Sequence, residues 1–141
     1  MSRLALNKIQ NFCFDTLSTG SSFWSTPASI YDWVPSAADF PYVEIGITSD
    51  LSGDMKPLPY YVNTQIINIW SKSEGSKECN DIMAQVVADL TGVTLPNSLG
   101  DDFTLYTISR KQAELFKVEG PQNEIFRQGV LRFELRVQDV S

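Results

Sequence analysis

The stretch INIWSKSEGSKECNDIMAQVVADL, residues 67–90, passes from one kind of secondary structure to another, and that passage decides the fold class. Its first residues close the run VNTQIINIW, whose β-branched content reads as a strand. The doublet Ile66-Ile67 puts bulk on both faces, which suits an interior strand covered on each side, or a bulge. From Ser76 the pattern changes. Cys79, Ile82, Met83, Val86, Val87 and Leu90 follow the i, i+3, i+4, i+7 spacing of a single helix face. Ser76 suits the N-cap, Glu78 the first turn and Gly92 the C-terminal end.

Upstream, Leu6, Ile9, Phe12, Cys13 and Leu17 repeat the helical spacing over residues 4–17, with Gly20 as a plausible end. The segment STGSSFWSTPAS has the composition of a loop, yet it carries Phe23 and Trp24, which are costly to leave in water. Two extended pieces follow, Ser29 to Val34 and Pro41 to Ile47, joined by a turn around Pro35 and suited to a hairpin. In the second, FPYVEIGI, period two places Val43, Ile45 and Ile47 on a core face and Tyr42, Glu44 and Gly46 on the other. Pro41 fits the first position of a strand, where its missing N–H breaks no ladder. The segment TSDLSGDMKPLPYY reads as a long polar loop.

Downstream, LPNSLGDD reads as turns, FTLYTISRKQAELFKVEG as extended structure broken near Arg110 and Lys111, and PQNE as a turn. In the closing GVLRFELRVQD, Leu131, Phe133, Leu135 and Val137 alternate with Arg132, Glu134, Arg136 and Gln138, so one face is buried and the other wet or paired. The order predicts an α+β fold. A mostly antiparallel sheet of four to five strands packs against two amphipathic helices in a single domain over residues 1–141.

Composition narrows the chemistry. The chain has 141 residues and no histidine, which excludes Ser-His-Asp and Cys-His nucleophiles, histidine bases and imidazole-ligated zinc. Cys13 and Cys79 each fall on the apolar face of a predicted helix, far apart in sequence and without a CxxC or ligand cluster, so they read as core thiols. The opening MSRLALNKIQNFCFDTL has no long apolar run and reads as neither signal peptide nor membrane helix. A net charge of −6, from 17 acidic and 11 basic side chains, opposes sequence-independent affinity for phosphate backbones. The charge is uneven: residues 41–105 hold nine acids and three bases, residues 106–141 five acids and six bases.

Glu44 lacks a partner acid, base or metal nearby in sequence and reads as a surface carboxylate. Asp50 to Asp54, DLSGD, has the turn glycine of a calcium loop but neither the acid register nor the distal Glu of an EF-hand, so it reads as a turn, as does Asp101-Asp102. A divalent-metal hydrolase built on Asp50, Asp54 or Asp101 is the reading these residues support least. The alternating row Arg132, Glu134, Arg136 is a surface for cross-strand pairing within the chain or with a neighbour. Phe23, Trp24, Tyr31 and Trp33 offer the alternative of a small, non-catalytic binding module with an aromatic-lined ligand cleft.

Taken in order, ASIYDWVP, FPYVEIGI, INIWSKSEGSKECNDIMAQVVADL and NEIFRQGVLRFELRV resemble the tail-completion family of long-tailed bacteriophages and phage-like gene-transfer particles. The matching points are Val34-Pro35, Pro41-Tyr42 with Ile45-Gly46, Trp70-Ser71 with Gly75, and Gln128 through Phe133. Pro121-Gln122-Asn123-Glu124 stands where the family usually carries an Asp-Gly-like turn, and Asn serves the same geometry. The resemblance implies a structural, non-enzymatic virion protein without cofactors, made in the bacterial host cytoplasm and located at the neck of the particle. Such proteins form a ring, typically of six subunits, at the head-proximal end of the tail tube. They join it to the head connector, and genomic DNA passes through the lumen without specific binding. On this reading the 49–61 loop, through Asp50, Asp54, Lys56 and Tyr60, is a candidate contact surface. Phe23, Trp24 and the Arg132, Glu134, Arg136 row are candidates too.

Overall fold

The computed structural model describes residues 4–50, 61–72 and 75–139. The two amphipathic stretches form helices α1 (Leu6–Gly20) and α2 (Lys77–Thr91). Ile9, Cys13 and Leu17 of α1 and Cys79, Ile82, Met83, Val86 and Leu90 of α2 are buried, as the spacing requires. Ser76 occupies the N-cap of α2 but in a helical conformation and without a side-chain cap bond. Glu78 instead accepts a 2.6 Å hydrogen bond from the Ser71 hydroxyl, tying the helix start to the strand before it. Burial pushes the Cys13 thiol up to about 12 and, with smaller local contributions, the Cys79 thiol to about 11, so both are inert at neutral pH.

Among the described residues six strands form one sheet: β1 (Ser29–Tyr31), β2 (Tyr42–Asp50), β3 (Tyr61–Ser71), β4 (Asn97–Gly100), β5 (Phe103–Glu119) and β6 (Ile125–Asp139). The strand order is β1-β2-β3-β6-β5-β4. The predicted interior strand is β3, paired on both sides. Along β6, Leu131, Phe133, Leu135 and Val137 are buried as alternation predicts. Both helices pack on that face: α1 touches β1, β2, β3 and β4, while α2 touches β3, β5 and β6. At Gly129 an added Cβ would lie 2.5 Å from Met83 Sδ and 3.2 Å from Cys79 Sγ, so the bare glycine is what lets α2 settle this close to β6. The break expected near Arg110 and Lys111 is a register shift between Arg110 and Gln112 within a continuous β5. The PQNE turn carries Asn123 at φ 60°, closed by a 2.7 Å bond from Gly120 N–H to the Glu124 carbonyl.

Four expectations are corrected. The sheet has six strands, because Asn97–Gly100, read as a turn, pairs with the start of β5, and because the short β1 joins the opposite edge. β1 runs parallel to β2, with Ser29 opposite Tyr42, so the two are not a hairpin and the sheet is mixed. Thr48, Ser49 and Asp50, placed in the loop, belong to β2 and pair with β3. Ile47, expected in the core, is 72% exposed. Ile45 pairs with Ile67 but Thr48 with Gln65, so Gly46 and Ile47 together face Ile66, and the bulge turns Ile47 to solvent.

Buried Gln65 holds this bulge. Its Nε2 donates to the carbonyls of Gly46 (3.1 Å), Ile47 (3.3 Å) and Ile66 (2.8 Å), and the Thr48 hydroxyl donates to its Oε1. A bulge leaves ladder carbonyls without strand partners, and a buried amide is a side chain that can satisfy them without charge.

Candidate assembly surfaces

The sheet face opposite the helices begins with aromatic residues. In register, Tyr42, Trp70, Gln128 and Phe116 form one cross-strand row. Phe40, from the connection before β2, lies 5.1 Å from the Tyr42 ring centroid and 5.4 Å from that of Phe126. Tyr31 meets Tyr42 edge-on at 5.8 Å, and the Lys72 ammonium sits 5.0 Å above Phe40 and 5.7 Å from Phe126. Such ring pairs and cation contacts each add a fraction of a kcal/mol to about 1.5 kcal/mol beyond area burial. Burial, then Glu44 and Tyr31, push the Tyr42 hydroxyl above its ordinary pKa, so it stays a neutral donor at physiological pH. Phe40, Phe126 and Lys72 carry no local signal that would have grouped them, since strand pairing brings them together from distant parts of the chain.

Further along this face the character becomes polar. Glu44 is half-buried and accepts a 3.4 Å hydrogen bond from the amide of Asn68, its cross-strand neighbour. Arg132, Glu134 and Arg136 stand on the same face. Their register partners are Ile66, Thr64 and Val62 on β3 and Gln112, Ser109 and Thr107 on β5, none of them charged. An ion pair runs along the strand, from Arg136 Nε to Glu134 Oε1 at 3.4 Å. With both partners partly exposed, it is worth at most about 1 kcal/mol.

The aromatic 21–33 stretch divides. Phe23, at the end of a 3-10 turn (Ser21–Phe23), is 86% exposed, and Trp33 is 79% exposed. Trp24 packs against the core, and its indole N–H donates to Asp89 Oδ2 at 2.7 Å. Thr26 N–H donates to Gln85 Oε1 at 3.0 Å and Gln85 Nε2 to the Thr26 carbonyl at 2.9 Å, so the segment is fastened along α2. The four aromatics of the cleft reading do not converge: two face solvent, Trp24 is seated on the core and Tyr31 packs on Tyr42. Trp24→Phe keeps the ring and removes the donor to a charged acceptor, so chemical denaturation should show a loss of about 1–2 kcal/mol. Assembly unaffected by Trp24→Phe but lost on Phe23→Ala would separate anchor from contact.

Asp50 closes β2 opposite Asn63, while Asp54, Lys56 and Tyr60 lie outside the described residues. Asp101 and Asp102 adopt φ of 50° and 64° in the β4–β5 turn, and Lys8 of α1 reaches Asp101 at 2.8 Å. Among the described residues no three acidic or thiol side chains gather as a metal site, and no helix is long and apolar enough to cross a membrane.

Residues 19–138 match the family described as Tail completion protein gp17. A chain in the solved structure of the virion of a native gene transfer agent particle has the same fold, with a TM-score of 0.76 at 20% identity, over 97% of this chain and 99% of that one. No curated protein sequence matches.

Proposed function

This chain belongs to the tail completion protein gp17 family, a family of structural virion proteins, and from that premise we propose that it completes the tail as a ring at the head-proximal end of the tail tube. The ring has six copies, contacts the tail-tube protein on one side and the head connector on the other, and lets genomic DNA pass without gripping it. The family match carries this reading, because it spans residues 19–138 and so takes in α2, β1 to β5 and all but the last residue of β6. Three physical features support it. A net charge of −6 disfavours phosphate retention. Without histidine, the commonest general base is absent from the composition. Large apolar side chains left in water, Phe23 and Trp33 above all, are surfaces that a partner can cover. The protein is in this view a non-catalytic component of the virion neck, synthesised in the host cytoplasm.

Electron microscopy of particles produced without this gene, beside a complemented control, tests the proposal. Filled heads separate from tails, or tails of uncontrolled length, are expected. Normal, joined, infectious particles would overturn it.

A further inference from the structure

A ring needs two different patches on each subunit, because its contacts are heterologous. An apolar groove runs between α2 and β5, with about 370 Å3 of open space, lined by Met83, Ala84, Val87, Ala113 and Leu131 and bordered by Arg110. Arg110 and Ala113 stand opposite Phe133 and Leu131, so they belong to the helix-bearing face of β5. Lys111, at the register shift between Arg110 and Gln112, is exposed, so the guanidinium of Arg110 is the charge placed at the groove. The outer edge of β5 beyond Leu105 has no strand partner among the described residues. The groove is therefore apolar, cationic at its rim and left open.

At the other end of the strand order, β1 is followed by Asp32 and Trp33. Trp33 is 79% exposed, and residues 21–42 contain Asp32 and Asp39 but no Lys or Arg. An exposed indole beside a carboxylate complements an apolar groove beside a guanidinium in both shape class and charge. Strands β2, β3 and β6 stand between β1 and β5, so the two surfaces belong to different sides of one subunit.

We propose that the α2–β5 groove receives Trp33 of a second copy of this chain, with Asp32 of that copy paired to Arg110. The inference rests on the ring reading above and names the contact that closes it. Trp supplies a large rigid anchor that loses little conformational entropy on docking, and the ion pair sets its orientation. Phe23, with no charged neighbour in sequence, is left for other parts of the particle.

The test uses assembled particles carrying Ser36→Cys and Ala84→Cys in the same chain, treated with a short bismaleimide. The native thiols are buried and do not compete. A denaturing gel should show a ladder extending past dimer, absent from each single variant. Separately, Arg110→Asp should lower incorporation into particles at least tenfold, and adding Asp32→Arg to the same chain should restore it. Thermal melts of the purified variants confirm that the fold persists. A ladder that stops at dimer, joined particles with no crosslink, undiminished incorporation of Arg110→Asp, or loss without rescue would each overturn the proposal. These failures are distinct from failure of the ring reading, which shows as joined particles when the gene is absent altogether.

Discussion

Gln65→Glu should destabilise the chain by about 3–5 kcal/mol at neutral pH, a large share of the 5–15 kcal/mol typical of a domain. Gln65 is fully buried, and its Nε2 is a donor to three main-chain carbonyls. Replacing that nitrogen with oxygen points a carboxylate at three acceptors in a place that water does not reach. The sign with pH follows from burial, which raises the folded-state pKa of the new carboxyl above its unfolded value near 4.3. The deficit is therefore smallest below that value, where the loss of donors remains, and grows as pH rises toward the folded-state pKa. Gln65→Leu is the matched control. It removes the donors without adding charge, and should cost about 2–3 kcal/mol independently of pH. Urea titrations of both variants at several pH values check this, and a pH-independent Gln65→Glu would refute the account of the bulge.

Phe133→Ala should cost about 3–5 kcal/mol and lower the melting temperature by roughly 10–15 °C. Phe133 is fully buried in the middle of β6, in register with Gln65 on β3 and Arg110 on β5. Strands on both sides hold the backbone at fixed spacing, so the site cannot collapse to fill the cavity. Arg132→Ala, one residue earlier on the opposite face, should stay within about 0.5 kcal/mol of the parent. Calorimetry of the pair measures the two faces against each other, and similar losses at both positions would contradict the assigned register.

Particular residues show how far the fold was legible. The helix faces of Cys13 and Leu17, or of Ile82 and Val86, follow from spacing, because a helix repeats within its own span. Periodicity fails at Ile47, which is exposed. Alternation across VEIGI carries it inward, and only Gly46, a residue that often marks a bulge inside a strand, hinted otherwise. The direction of β1 had no local signal at all, since a short strand pairs either way until its connection is placed. Among the candidate contacts, Trp24 stands out in the sequence for the cost of leaving it wet. Much of that cost is met by Asp89, a residue 65 positions away on α2.

The two helices, the interior β3, the buried face of β6 and, through the order of the motifs, the family can be read from the amino-acid order alone. Each depends on periodicity or on residues in a fixed order along the chain. Only the folded chain reveals the parallel β1, the bulge that exposes Ile47, the aromatic group of Phe40, Tyr42 and Phe126, and the groove between α2 and β5. Those features are set by which strand lies beside which and in what register. That choice minimises the free energy of contacts between distant segments, and no window of neighbouring residues contains it.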